Sequence, residues 1–202
     1  MRVGMRTDDG GGGEKCPPGF HVAVLAAVFD IGRQPGFKPT DQPQEKVMLL
    51  WEVNQRDSKG RRFLLIDTLA NYLGKPEKPS KLSGRFAALL GAPLTADESE
   101  NGIDTDEVVG RSCYLAVSPP GPQGKWPKIT SAMPLPPGTA AIQAEKVYSD
   151  EDPPPFVSKA RDKAVVSGAT QPAKSRPAAS QRAALPAQPV DADPISDDQP
   201  PF

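Results

Sequence analysis

Three short stretches of the chain combine positive charges with aromatic rings, the two side-chain types that hold single-stranded nucleic acid. Cations follow the phosphates, and bases stack on aromatic faces. The stretches contain Arg33, Phe37 and Lys38; Arg56, Lys59, Arg61, Arg62 and Phe63; and Lys125, Trp126 and Lys128. One alternative is that these segments are polar because they are solvated. Three such clusters in one small domain favour a nucleic-acid-binding face.

Other chemistry has little support in the residue types. His21 is the single histidine, and with Cys16 and Cys113 it does not give the paired ligands of a zinc site. The chain has no glycine-rich phosphate loop and no GxSxG motif. The acidic segment 97–107 lacks the spacing of an EF-hand, so we interpret it as a solvated loop. We therefore expect no enzyme activity, no metal and no cofactor.

Strands must position the three clusters, and the hydrophobic pattern predicts five of them. Gly60 stands in a polar turn, where a positive φ would close a hairpin between the second and third strands. A Pro- and Gly-rich turn joins the last two strands. The predicted strands are 21–31, 46–53, 62–73, 108–118 and 125–133.

One helix is predicted between the third and fourth strands. Ser80 is a suitable N-cap, Gly91 marks the end of the helix, and Pro93 prevents its continuation. The apolar stripe of this helix consists of Leu82, Phe86, Leu89 and Leu90.

This element order predicts an all-β fold, a five-stranded OB-fold Greek-key barrel with one helix between strands three and four, followed by a disordered tail. An OB-fold binds its ligand on strands two and three and on two loops, where the basic and aromatic residues fall. Trp51 alternates with apolar neighbours, which favours a core position over a stacking role. Trp126 lies between lysines in a turn and is the better stacking candidate.

Composition indicates a folded part diluted by a disordered one. Hydrophobic residues make up 37% of the 202, and the chain contains 25 prolines and 18 glycines. We predict a disordered arm (1–16), an OB-fold domain (17–149), a Pro/Ala-rich disordered linker (150–190) and an acidic tip (191–202). No secretory signal or membrane segment is recognisable. We expect a cytoplasmic protein with reduced thiols, in which Cys113 is a small buried strand residue.

The chain ends in acids, two prolines and an aromatic ring: Asp197, Asp198, Gln199, Pro200, Pro201 and Phe202. This ending resembles the C-terminal tip of bacterial single-stranded DNA-binding proteins. The resemblance implies that Asp197, Asp198, Pro200, Pro201 and Phe202 dock on replication, recombination and repair proteins. In layout, the body resembles the OB-type single-stranded DNA-binding proteins of phages and mobile elements. This resemblance implies a protein that coats single-stranded DNA, and it allows a homo-oligomer.

Two further readings stay open. The chain could be an interaction protein that does not bind DNA and imitates the tip to capture host replication proteins. It could also be a nuclease that uses the carboxylates of residues 97–107, such as Asp104. A second acid-proline-Phe stretch, residues 149–156, has no free carboxylate, and we interpret it as a contact at the domain edge.

Overall fold

The structure, a computed structural model, describes residues 14–36, 38, 40–121 and 126–165. Several sequence predictions lie outside the described residues. They concern Phe37, Lys125, most of the N-terminal arm, the linker beyond residue 165 and the whole C-terminal tip.

The described residues form seven strands and three α-helices. The strands are β1 (Gly19–Gln34), β2 (Gln44–Arg56), β3 (Arg62–Ala70), β4 (Gly74–Lys75), β5 (Lys78–Pro79), β6 (Ser112–Ser118) and β7 (Lys128–Met133). The helices are α1 (Lys81–Leu90), α2 (Ala96–Asn101) and α3 (Pro155–Arg161), with a 3-10 turn at Thr105–Glu107. In this part of the chain, no helix is long and apolar enough to cross a membrane.

The five long strands form one antiparallel sheet in the order β3-β2-β1-β6-β7, and β4 pairs with β5 separately. The predicted β-rich class and five long strands are therefore confirmed. A closed barrel is not found among the described residues, since β3 and β7 are the two edges of the sheet and share no ladder.

A β-bulge lets β1 contribute to both faces of the sheet. Before the bulge, Ala23 and Leu25 lie in the core on the inner face, the side that packs on α1. The register against β2 shifts between Leu25 and Ala27, which reverses the side that odd-numbered residues occupy. Phe29 and Ile31 consequently belong to a second apolar cluster on the opposite, outer face.

The inner face confirms the alternation predicted for the second strand and the apolar stripe predicted for the helix. The alternating residues of β2 in this core are Val47, Leu49, Trp51 and Val53, and Trp51 is fully buried. Helix α1 adds Leu82, Phe86 and Leu89 to the same core. Ser80 caps α1 by accepting a hydrogen bond from the Ser83 N–H, and Gly91 ends it with φ 78°.

A buried arginine bridges the two edge strands. Arg85 of α1 donates from Nε to the Asp67 carboxylate on β3 at 2.9 Å. Its Nη2 donates to the Ile129 carbonyl on β7 at 3.1 Å. Because Arg85 is only 6% exposed, its charge requires these partners. The ion pair therefore lies where a ladder between β3 and β7 would have closed a barrel.

Helix α3 covers part of the outer face, which corrects the predicted domain boundary. Residues 150–190 were predicted to be a disordered linker, and this is wrong for α3. Val157 is fully buried with Phe29 and Leu50, and Phe156 packs beside them. Pro155 begins the helix, where its missing N–H costs nothing. The domain-edge contact expected of residues 149–156 is confirmed.

The start of the described chain also packs on the domain. The Glu14 carboxylate accepts a hydrogen bond from the Ser58 N–H at 2.7 Å, and Cys16 is buried. The prediction that the disordered arm extends to residue 16 is therefore wrong for residues 14–16.

Candidate nucleic-acid interface

The hairpin between β2 and β3 forms as predicted, but Arg61 is bound within its turn. Gly60 has φ 76° and its N–H donates to the Asp57 carbonyl. The Arg61 side chain donates twice to the Asp57 carboxylate, from Nε at 3.0 Å and from Nη2 at 2.9 Å. Hydrogen bonds from the backbone of Arg61 and Lys59, and from the Arg61 side chain, hold the pKa of Asp57 below its ordinary value.

Arg56 and Arg62 attach a distant segment to the sheet. Residues 142–148, which we call the strap, cross the outer face. Arg56 forms an ion pair with the Glu145 carboxylate, and Arg62 lies 3.2 Å from the same group. The Arg62 side chain also donates to the Gln143 carbonyl and is only 16% exposed. Both arginines therefore have structural partners.

Glu52 on β2 is the anchor of the strap. Its carboxylate is 4% exposed and accepts the N–H groups of Glu145 and Lys146 at 2.6 and 3.1 Å. Arg62 lies 3.7 Å from it and supplies a compensating charge. A buried carboxylate with three such partners is a stable arrangement. The strap consequently covers the outer face of β2 near the hairpin.

Two aromatic residues near the hairpin are buried in the core. Phe63 is 8% exposed and packs on the inner face, so its ring is not available to a base in this structure. We therefore remove Phe63 from the proposed interface. Trp51 is fully buried, as its alternation with apolar residues indicated.

The turn between β6 and β7 leaves an aromatic ring in solvent. Trp126 is 55% exposed, and Lys128 nearby is exposed and has no ion pair within the described ranges. Phe20, at the start of β1, is 64% exposed and pairs in register with Ala116 near the end of β6. Phe20 was not predicted as a site residue because it lies just before the predicted strand 21–31. An isolated aromatic residue beside Gly19 was the available indication.

The register divides the predicted cations between two ends of the sheet. The hairpin and the β6–β7 turn lie at the end where β1 begins, because β1 pairs antiparallel with both β2 and β6. Arg33 and Lys38 lie at the other end of β2, about 40 Å away for an extended strand of this length. Arg33 Nε donates to the Pro43 carbonyl, and Lys38 is exposed. The three clusters do not form one continuous patch.

Acidic residues of segment 97–107 cap the start of α2 and of the 3-10 turn. Thr95 and Glu98 form a capping box at the start of α2, and their hydrogen bonds hold the pKa of Glu98 below its ordinary value. The Asp104 carboxylate accepts from the Asp106 N–H. Across the described ranges, no group of three or more His, Cys, Asp or Glu side chains could hold a metal ion.

The histidine and the two thiols are also placed structurally. His21 lies in β1, with Nε2 2.8 Å from the Pro17 carbonyl oxygen. Burial raises the pKa of Cys16 to about 11 and that of Cys113 to about 12. Both thiols are therefore protonated at neutral pH. The prediction of Cys113 as a small buried strand residue is confirmed.

The fold and the exposed residues define a β-sheet protein with solvent-facing aromatic and basic side chains at the ends of its strands. No protein-family model matches this sequence, and a comparison with curated proteins finds no match.

Proposed function

We propose that the protein binds single-stranded DNA through an OB-type domain and recruits replication, recombination and repair proteins through residues 191–202. The strand order supports the first part. The order β3-β2-β1-β6-β7, with α1 between β3 and β6, is the one expected of an OB-fold in which the third and fifth long strands are left unpaired. The second part depends on the resemblance of residues 197–202 to the tip of bacterial single-stranded DNA-binding proteins.

The exposure of Trp126 carries the proposal. A tryptophan left 55% in solvent on a strand connection loses the benefit of burial, and a ligand that covers it would restore this benefit. In an OB-fold, the connection between the last two strands contributes to oligonucleotide binding. Lys128 beside it supplies a positive charge for a phosphate.

The first test is fluorescence anisotropy of a labelled oligo-dT titrated with the full chain at low and moderate salt. We expect tight binding that weakens steeply with salt and spares duplex DNA of the same length. Absence of binding at low salt would overturn the proposal.

Substitution of Trp126 locates the interface. Trp126→Ala should cost about 1–3 kcal/mol of affinity for oligo-dT, because stacking on one base is lost. Trp126→Phe is the matched variant and should recover much of this loss, since it keeps an aromatic face. Equal affinity of the Ala variant and the native protein would exclude Trp126 as a stacking residue.

A second function is favoured by one observation: Arg56, Arg61 and Arg62 all have carboxylate partners within the chain. If the body does not bind DNA, the protein is an interaction protein that acts through its tip. Removal of Phe202 distinguishes the two. A DNA-binding protein should keep its affinity for oligo-dT without Phe202, whereas an interaction protein should lose its partner and show no DNA binding in either form.

A further inference from the structure

An open groove lies between α3 and the outer face of the sheet, away from the hairpin and the β6–β7 turn. Its volume is about 430 Å³, within the usual range of ligand sites, roughly 300–1,000 Å³. The groove reaches from α3 to the start of β2 and to Pro35, where the connection between β1 and β2 begins.

The walls of the groove combine apolar and positive side chains. Residues at i, i+3 and i+7 of α3 and the turn after it line one wall, namely Phe156, Lys159 and Lys163. Lys46, Met48 and Ile31 line the opposite wall. Among the described residues, no acidic side chain lines the groove. Lys46 and Lys163 have no ion pair within the described ranges.

We infer that this groove is a second binding segment for single-stranded nucleic acid, in which Lys46 and Lys163 hold phosphates and the apolar walls contact bases. Lys46 and Lys163, which have no ion pair within the described ranges, attract a polyanion, and the apolar walls favour a chain whose bases are unstacked. A duplex keeps its bases stacked and cannot use these walls. The inference rests on the proposed function and extends it to α3, which lies outside the five-strand, one-helix pattern.

The position of the groove would let one bound strand of DNA contact both ends of the sheet. Lys38 lies on the connection that starts at Pro35, so it extends the positive charge beyond the groove. Trp126 and Lys128 lie at the other end of the sheet. A strand of DNA bound at both places would have to run along the molecule, so the occluded length should exceed that of a single patch.

The test compares the full chain with the double variant Lys46→Gln, Lys163→Gln in oligo-dT titrations over a range of salt. Each lost phosphate contact on a single strand lowers the slope of log affinity against log salt by about 0.7, so the slope should fall by about 1.4. The matched control is Lys15→Gln, Lys81→Gln, which removes two exposed lysines elsewhere and should leave the slope unchanged. Lys15, Lys81 and Lys163 are exposed and Lys46 is partly exposed, so all four substitutions should be tolerated, and circular dichroism would check that the variants fold.

Lysine acetylation of the native protein, read by mass spectrometry with and without oligo-dT, provides an independent measurement. Protection of Lys46 and Lys163 by the oligonucleotide, with Lys15 and Lys81 unprotected, supports the inference. If the native protein binds oligo-dT but the double variant keeps the full salt slope, the groove is not a DNA site and the proposed function stands. If the native protein binds no oligo-dT, both fail. If the lysines are protected without DNA and react after residues 197–202 are deleted, the acidic tip occupies the groove, and the inference is overturned.

Discussion

The inner face of the sheet and the covered part of its outer face are buried by different means. The inner face packs aliphatic and aromatic side chains on α1 and, within the described ranges, contains one ion pair, Arg85 with Asp67. The outer face is covered by α3 over β1 and by the strap over β2, and the strap is attached through Glu52, Arg56 and Arg62. Apolar packing dominates the inner face, and charge-assisted hydrogen bonds attach the strap to the outer face.

This difference bears on the cluster of arginines that the sequence predicts to be part of a ligand face. Arg56, Arg61 and Arg62 lie together in a hairpin, which is typical of a phosphate-binding surface. In the fold, two of them attach the strap and the third closes its own turn on Asp57. The lysines follow another pattern, since Lys46, Lys128 and Lys163 have no ion pair within the described ranges. Arginine suits bidentate internal pairing, whereas a lysine without a partner stays available to a ligand.

The largest expected effect concerns the ion pair of the inner face. Arg85→Met should lower the free energy of unfolding by about 3–5 kcal/mol, because the Asp67 carboxylate, whose side chain is only 14% exposed, would be left without its partner. Urea denaturation measures the change. The double variant Arg85→Met, Asp67→Leu should recover much of the loss, since it removes both charges. If the single variant is as stable as the native protein, the edges of the sheet do not depend on this pair.

The second prediction concerns the anchor of the outer face. Glu52→Gln should cost about 1.5–3 kcal/mol, because hydrogen bonds to a charged acceptor weaken. Hydrogen exchange should accelerate at the amides of Glu145 and Lys146 and stay slow at Trp51 in the core. The control is Glu77→Gln, an exposed residue in the turn between β4 and β5. A uniform acceleration through the whole sheet would show that the strap and the core unfold together.

The third prediction tests whether the inner face can be weakened without affecting the strap. Ser80→Ala should cost about 1 kcal/mol, because the Ser83 N–H loses the oxygen that caps α1. Exchange should increase in the first turn of α1 and stay unchanged at Glu145. Ser58→Ala, in the exposed hairpin turn, serves as control and should change stability by less than about 0.5 kcal/mol. Faster exchange at Glu145 in the Ser80 variant would contradict the separation of the two faces.

The inner face was predictable from the sequence because local patterns specify it. The alternation through Trp51 and the spacing of Leu82, Phe86 and Leu89 identify residues that share a side, whatever packs against them. Ser80 and Gly91 likewise mark the ends of α1 through backbone chemistry at single positions. These features need no knowledge of distant residues, and the structure confirms them.

The outer face and much of the candidate site were not predictable in this way. The hydrogen bond between Glu145 and Glu52 joins residues 93 positions apart, and no local pattern relates them. Helix α3 was missed because its segment is rich in proline and acids and buries one residue fully, Val157. The bulge after Leu25 also reverses the faces of β1, so Phe29 and Ile31 face α3. The groove lysines were missed because α3 was not expected.

The smallest effect is a shift in the titration of Glu145. The hydrogen bond from Arg56, together with the charges of Arg56 and Arg62, holds the pKa of Glu145 below its ordinary value of 4.5. Because the pKa is lower in the folded protein, this contact stabilises the strap above pH 4.5, and the contribution is lost as pH falls through the folded value. Arg56→Gln should therefore raise the pKa of Glu145 toward 4.5, as measured by NMR of the side-chain carboxyl carbon.

The matched control for this titration is Arg61→Gln, which removes a neighbouring arginine that pairs with Asp57 instead. It should leave the pKa of Glu145 unchanged. If both variants shift Glu145 equally, the strap responds to the overall charge of the hairpin, and the specific contact with Arg56 does not hold it. If only Arg56→Gln shifts it, the outer face is attached by individual ion pairs. Low pH should then loosen the strap while the apolar inner core stays intact. The stabilities of the two faces would thus be distinguished by pH as well as by mutation.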